Sequence, residues 1–143
     1  MIRRGLIFVI VQFACGAVLA LTGPVFTLKW PGLLVLAAFG LLIWAIVTLR
    51  LHTLTAMPEI RQGATLTTAG PYRWIRHPMY TAALLLTGAW LAMDFTWWRL
   101  LIYLLLALNL IVKLHYEERL LSAHYPGYAD YRKTTRKLIP FLY

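Results

Sequence analysis

Four apolar runs limit what this chain can fold into more than any other feature. They occupy 6–25, 33–49, 79–93 and 97–112. The first is interrupted only by Gln12, Thr22 and two glycines. The second is nearly pure, and the fourth carries Arg99 near its start and Asn109 near its end. A helix needs about 20 residues to cross the hydrocarbon of a bilayer. The second and fourth runs reach that length with their flanks; the third reaches it only if its helix begins near Pro78. Hydrophobic residues make up 61% of 143 and charged residues 13%, more apolar surface than a soluble domain this small can hide. The expectation is a single all-α polytopic membrane domain over 1–143 with four transmembrane helices. Its helix pair at 1–52 precedes a second half at 65–141. Met1-Ile2-Arg3-Arg4 resembles the start of a signal peptide, but apolar character continues to Leu28, so a retained first helix is expected.

The connections sort the charges. Segments 27–32 and 94–96 read as short turns, with Pro31 suited to start the second helix. The segment 50–77 and the chain after Lys113 are long and polar. Lys29 and Arg99 flank the short turns, and the other twelve of the 14 basic residues lie at the amino terminus, in 50–77, or from Lys113 onward. The positive-inside rule makes those regions cytoplasmic, with both termini on that side. Trp30, Trp97 and Trp98 then mark the opposite interface, and Trp74 and Tyr80 the cytoplasmic one. The net charge of +9 sits on no nucleic-acid recognition motif, so anionic membrane lipid is the expected partner. Cys15 is the lone cysteine and reads as a packing residue. Gly16 with Ala20, and Ala83 with Thr87, have the spacing of close helix contacts. Asn109 suits a hydrogen bond between helices.

Two polar clusters stand out. In Tyr72-Arg73-Trp74-Ile75-Arg76-His77-Pro78-Met79-Tyr80, Pro78 suits the first turn of a helix and biases His77 toward an extended backbone. Residues 72–77 thus form an ordered approach to the third helix, whose first amides can face an anion. Arg73 and Arg76 can each grip a carboxylate or phosphate. The bland alternative is that these arginines and aromatics only anchor the interface. In the second cluster the fourth helix runs on past the membrane to about His124. There Glu117 and Glu118 point about 100° apart and need not do the same job. Glu117 lies four residues from Lys113, and Glu118 one turn from His115. The scattered histidines match no metal-binding pattern, and no metal is expected. Beyond Pro126-Gly127, Tyr128, Tyr131 and Arg132 share one side of a short helix. Lys133, Arg136 and Lys137 suit contact with anionic lipid.

Together the clusters carry a resemblance. Arg76-His77-Pro78-Met79-Tyr80 resembles the Arg-His-Pro-x-Tyr motif of the isoprenylcysteine carboxyl methyltransferase family, which the related phospholipid N-methyltransferases share. Glu117-Glu118-x-Leu120 resembles the Glu-Glu motif that follows it. Tyr125-x-x-Tyr128-x-x-Tyr131 and Ile139-Pro140 are similar to the family's ending. The likeness covers roughly 65–141. It departs at Ala82, where the family often has Gly.

The resemblance implies an integral membrane enzyme using S-adenosylmethionine, with its cofactor pocket at the cytoplasmic face in the carboxyl-terminal half. Tyr72, Arg76, His77, Pro78, Tyr80, Glu117 and Glu118 would then bind cofactor. Glu118, Arg119 and Arg132 are the catalytic candidates, either arginine being suited to hold an acceptor carboxylate. The expected acceptor is lipophilic and enters from the bilayer. It is most like an isoprenylcysteine carboxyl, with a phospholipid or other small lipid as the alternative. The expected location is a prokaryotic inner membrane. The rival reading is a non-enzymatic packing or transporter subunit whose clusters are interface anchors.

Overall fold

The computed structural model describes residues 2–27, 29–49, 66–140 and 142–143. Among these residues the chain is all-α. It comprises α1 (Ile2–Leu21), α2 (Trp30–Leu49), a 3₁₀ turn (Gly70–Arg73), α3 (Pro78–Met93), α4 (Trp97–His124) and α5 (Tyr128–Thr134). The expected boundaries at 52 and 65, and the basic Arg50 and Arg61 between the halves, lie outside the described residues.

Local chemistry sets the helix ends. α1 stops at Leu21, short of the apolar run that continues to Val25. Pro24 has no N–H and biases Gly23 away from helical geometry, so it outranks hydropathy here. α3 starts at Pro78, with His77 outside the helix at φ −123°. α4 continues for 28 residues to His124, a length of about 42 Å. Its last turns must therefore project beyond any apolar layer of ordinary thickness.

Helices α2 and α4 are long and apolar enough to cross a membrane; Gly5–Leu21 and α3 are shorter apolar helices. α1 packs mainly on α4, and α2 on α3. Leu19, Val35, Ala89 and Trp90 form one buried cluster, and Cys15, Leu106 and Leu110 another. Leu33, Leu36, Phe39, Ile43 and Val47 of α2, and Leu101, Leu104, Leu105 and Leu108 of α4, face outward. An outer surface this apolar suits lipid and not water.

Polar side chains tie α4 to α1 along its length. Arg99 is 0% exposed. Its Nη1 donates to Thr22 Oγ1 at 2.8 Å, and its Nη2 to the carbonyls of Leu19 and Trp90 at 3.2 and 2.9 Å. Asn109 Nδ2 donates to the Phe8 carbonyl at 3.1 Å, the interhelical bond its position suggested. Lys113 Nζ donates to Gln12 Oε1 at 3.1 Å. Arg99 is thus not a simple turn flank. Carbonyls in the last turns of α1 and α3 lack helical partners, and one guanidinium has enough donors to serve both helices. The Gly16–Ala20 spacing is not used as expected, because a Cβ on Gly16 would meet nothing within 4 Å.

Candidate active site

The chain reaches α3 through Gly70, whose φ of +56° is costly for any residue with a side chain. The 3₁₀ turn follows. Residues 74–77 then pair with the carboxyl-terminal tail through a parallel bridge between Ile75 and Arg136. The Arg76 amide donates to the Arg136 carbonyl at 2.8 Å, the Arg136 amide to Trp74 at 3.0 Å, and the His77 amide to Lys137 at 3.1 Å. The approach to α3 is therefore ordered, and much of its support comes from a segment some 60 residues later. The start of α3 offers little to an anion. Pro78 has no N–H, and the amides of Tyr80 and Thr81 both donate to the His77 carbonyl at 3.0 and 3.1 Å.

The two sequence clusters meet in space. Arg76 Nε donates to Glu118 Oε1 at 2.6 Å, with both side chains almost fully buried. Arg76 Nη1 donates to the carbonyl and hydroxyl of Thr135, at 2.7 and 3.2 Å, and to the Arg132 carbonyl at 3.4 Å. One guanidinium thereby joins α4 to the end of α5. The Tyr80 hydroxyl donates to Glu117 Oε1 at 2.6 Å. His77 lies between the carboxylates, its Nδ1 3.7 Å from Glu117 and its Nε2 3.6 Å from Glu118. The imidazole stacks on the Tyr80 ring, with centroids 5.3 Å apart and planes within 8°. Lys113 Nζ sits over the same ring at 5.2 Å. Two carboxylates thus face two cations, the balance a poorly solvated cluster requires.

The carboxylates differ. Glu117 keeps 18% of its side chain exposed, and Glu118 only 5%. Burial alone would raise the Glu118 carboxyl, but the hydrogen bond and charge of Arg76, with the His77 ring close by, outweigh it and hold the group at about 2. The less buried carboxylate bonds a phenol, and the more buried one bonds a guanidinium.

Among the remaining expected residues, Pro78 is buried at the helix start. Tyr72 is buried too; its carbonyl accepts from the Tyr131 hydroxyl at 2.6 Å, and burial pushes its own hydroxyl up to about 12. The side chains of Arg119 and Arg132 are exposed; only the Arg132 carbonyl touches the cluster, through Arg76. Two further residues contact the cluster, Lys113 and Thr135, and Tyr128 lies within reach of the charges of Glu118 and Arg76. Tyr128 is 1% exposed. The tyrosine spacing in the tail was the available signal for it.

The apolar helical bundle thus carries a cation–carboxylate cluster, built from the approach to α3 and the far end of α4. The chain matches the family model for phospholipid methyltransferase over residues 28–127. It belongs to that family, and membership implies methyltransferase activity on membrane lipid. The match takes in Arg76, His77, Tyr80, Glu117 and Glu118, while α5 and its bonds to Arg76 lie beyond it. Comparison with curated proteins finds no match.

Proposed function

We propose that the protein crosses the membrane four times, with both termini in the cytoplasm, and transfers a methyl group from S-adenosylmethionine to a lipophilic acceptor at that face. The observation carrying this reading is the meeting of the two motifs around His77. The asymmetry of basic residues supports the orientation, and the short α3 is tolerable where neighbours bury it.

The residues present fit the cofactor. Buried polar atoms seldom lack partners, yet His77 Nε2 and the Tyr128 hydroxyl have no hydrogen bond. A ligand bearing hydroxyls and a carboxylate can satisfy both. When bound, S-adenosylmethionine supplies an electrophilic methyl on a positive sulfonium. Glu117 is the group suited to that cation, the Tyr80 ring being stacked on His77 and approached by Lys113. Arg76 is already engaged with Glu118 and the end of α5, so its part is to position Glu118.

The geometry divides the remaining work. A carboxyl held at about 2 is too weak a base to be useful near neutrality, so Glu118 orients His77. His77 and Glu117 form the pair able to accept a proton from an amine acceptor. A carboxylate acceptor needs no base, and Arg119 or Arg132 can hold it. An isoprenylcysteine-like carboxyl is one acceptor; a phospholipid amine is the other, and the matched family favours it equally.

The test uses purified protein in nanodiscs. Calorimetry with S-adenosylmethionine comes first. Methyl-labelled cofactor is then supplied with prenylated cysteine or phosphatidylethanolamine. Base-labile label marks an ester and base-stable label an N-methyl group. His77→Ala and Glu117→Gln should each depress transfer at least tenfold. Absence of both cofactor binding and label incorporation in the wild type would return the chain to the non-enzymatic rival.

A further inference from the structure

Apart from the cluster, Trp74, Lys133, Thr134, Arg136 and Pro140 line a recess of about 140 Å³. The bridge that orders the approach to α3 also fixes this recess, because the Arg136 amide is bonded to the Trp74 carbonyl. Its position relative to the bundle is set by aromatic contact. Trp74 packs edge-on against Trp44 of α2, with centroids 5.7 Å apart. Trp44 lies a little over one turn before the end of α2, the depth at which tryptophan marks a membrane boundary. Ile43 and Val47 beside it face outward, so the recess adjoins surface suited to acyl chains.

Its charge is positive. Arg136 has no acidic partner among the described residues, and neither does neighbouring Arg73. Lys133 pairs with Asp130 at 2.7 Å, but both side chains are largely exposed, and such pairs are weak. Lys137, which the sequence grouped with these cations, goes elsewhere. Its ammonium lies 2.9 Å from His115 Nε2 and over the Tyr143 ring at 4.9 Å.

We propose that this recess binds the phosphate head of an anionic phospholipid of the adjoining leaflet, as a resident lipid and not as methyl acceptor. Arg136 offers a planar fork for the phosphate, and Lys133 a second cation. The Trp44–Trp74 pair lies where the glycerol region would sit. The basic tail thereby seats the active-site half on the membrane. The proposal rests on the membrane reading and not on cofactor use.

Native mass spectrometry tests it, using protein in nonionic micelles titrated with dioleoyl phosphatidylglycerol or dioleoyl phosphatidylcholine. Wild type should retain one phosphatidylglycerol preferentially. The exposed pair Lys133→Gln with Arg136→Gln should lose that preference by on the order of tenfold, while phosphatidylcholine retention stays the same. Lys29→Gln, at the far end of α1 and α2, should behave as wild type. Equal retention by wild type and the double variant would overturn the assignment, as would an equal loss in Lys29→Gln, which would mark unspecific attraction. Displacement of the lipid by inorganic phosphate at matching concentration would also overturn it, identifying a free-anion site.

Discussion

Replacing Glu118 with Gln should cost stability in a manner that depends on pH. The substitution keeps the shape and an acceptor for Arg76 Nε but removes the charge. The carboxyl falls from an ordinary 4.5 to about 2, roughly 3 kcal/mol of preference for the charged form. Breaking a buried ion pair costs about 3–5 kcal/mol, so two independent routes agree. In a chain of this length that is a fall in melting temperature on the order of 10 °C. Because folding depresses the carboxyl, the unfolded chain takes up its proton first as pH falls. The contribution is complete above the ordinary value and lost as pH approaches the folded one. The gap between wild type and Glu118→Gln should therefore be full at pH 7, shrink below about pH 5 and nearly vanish near pH 2. Tryptophan-fluorescence melting in a nonionic detergent, run for both proteins across that range, reads it directly. A gap of the same size at every pH would show that lost packing, and not lost charge, destabilises the variant. No gap at pH 7 would refute the role given to the Arg76–Glu118 pair.

Other consequences are as specific. Tyr80→Phe removes a 2.6 Å bond to Glu117; it should cost about 2 kcal/mol of stability, the worth of a bond to a charged group, by thermal melting. Arg99→Met strips the last-turn carbonyls of α1 and α3 of their donor. It should cost about 3 kcal/mol by thermal melting, while the purified, folded variant still binds cofactor. Gly70→Ala places a Cβ against Thr48 Oγ1 on a backbone with φ of +56°. It should destabilise by about 1–3 kcal/mol, and Thr48→Ala should relieve part of that in a double-mutant melt.

Much of the fold is legible because it rests on local rules. Pro78 opens α3, the turn at 94–96 separates α3 from α4, and α4 continues to His124. Hydropathy misleads where chemistry overrules it, as at Gly23-Pro24. The two motifs are legible in the sequence, but the partners their side chains take in the fold are not. In the sequence Arg76 reads as an open fork; in the fold the carbonyls of Arg132 and Thr135, more than 50 residues away, engage it. Arg99 reads as a boundary charge until the ends of α1 and α3 surround it. Such roles depend on which helix ends come together, and sequence spacing within one segment does not encode that. Tyr128 and Lys113 went unassigned for the same reason.

The ladder between α1 and α4 bears on how the protein is made. Arg99 and Lys113 bound the apolar part of α4, where a charge costs a lone helix less than the roughly 2.5–3.5 kcal/mol of its middle, and Asn109 adds to the penalty. All three take partners from α1: Leu19 and Thr22, Gln12, and Phe8. α1 is free of buried charge among its described residues and is made before α4. In the proposed four-crossing arrangement α4 therefore reaches its final state only with α1 beside it, and the first helix acts as receptor for the last to cross.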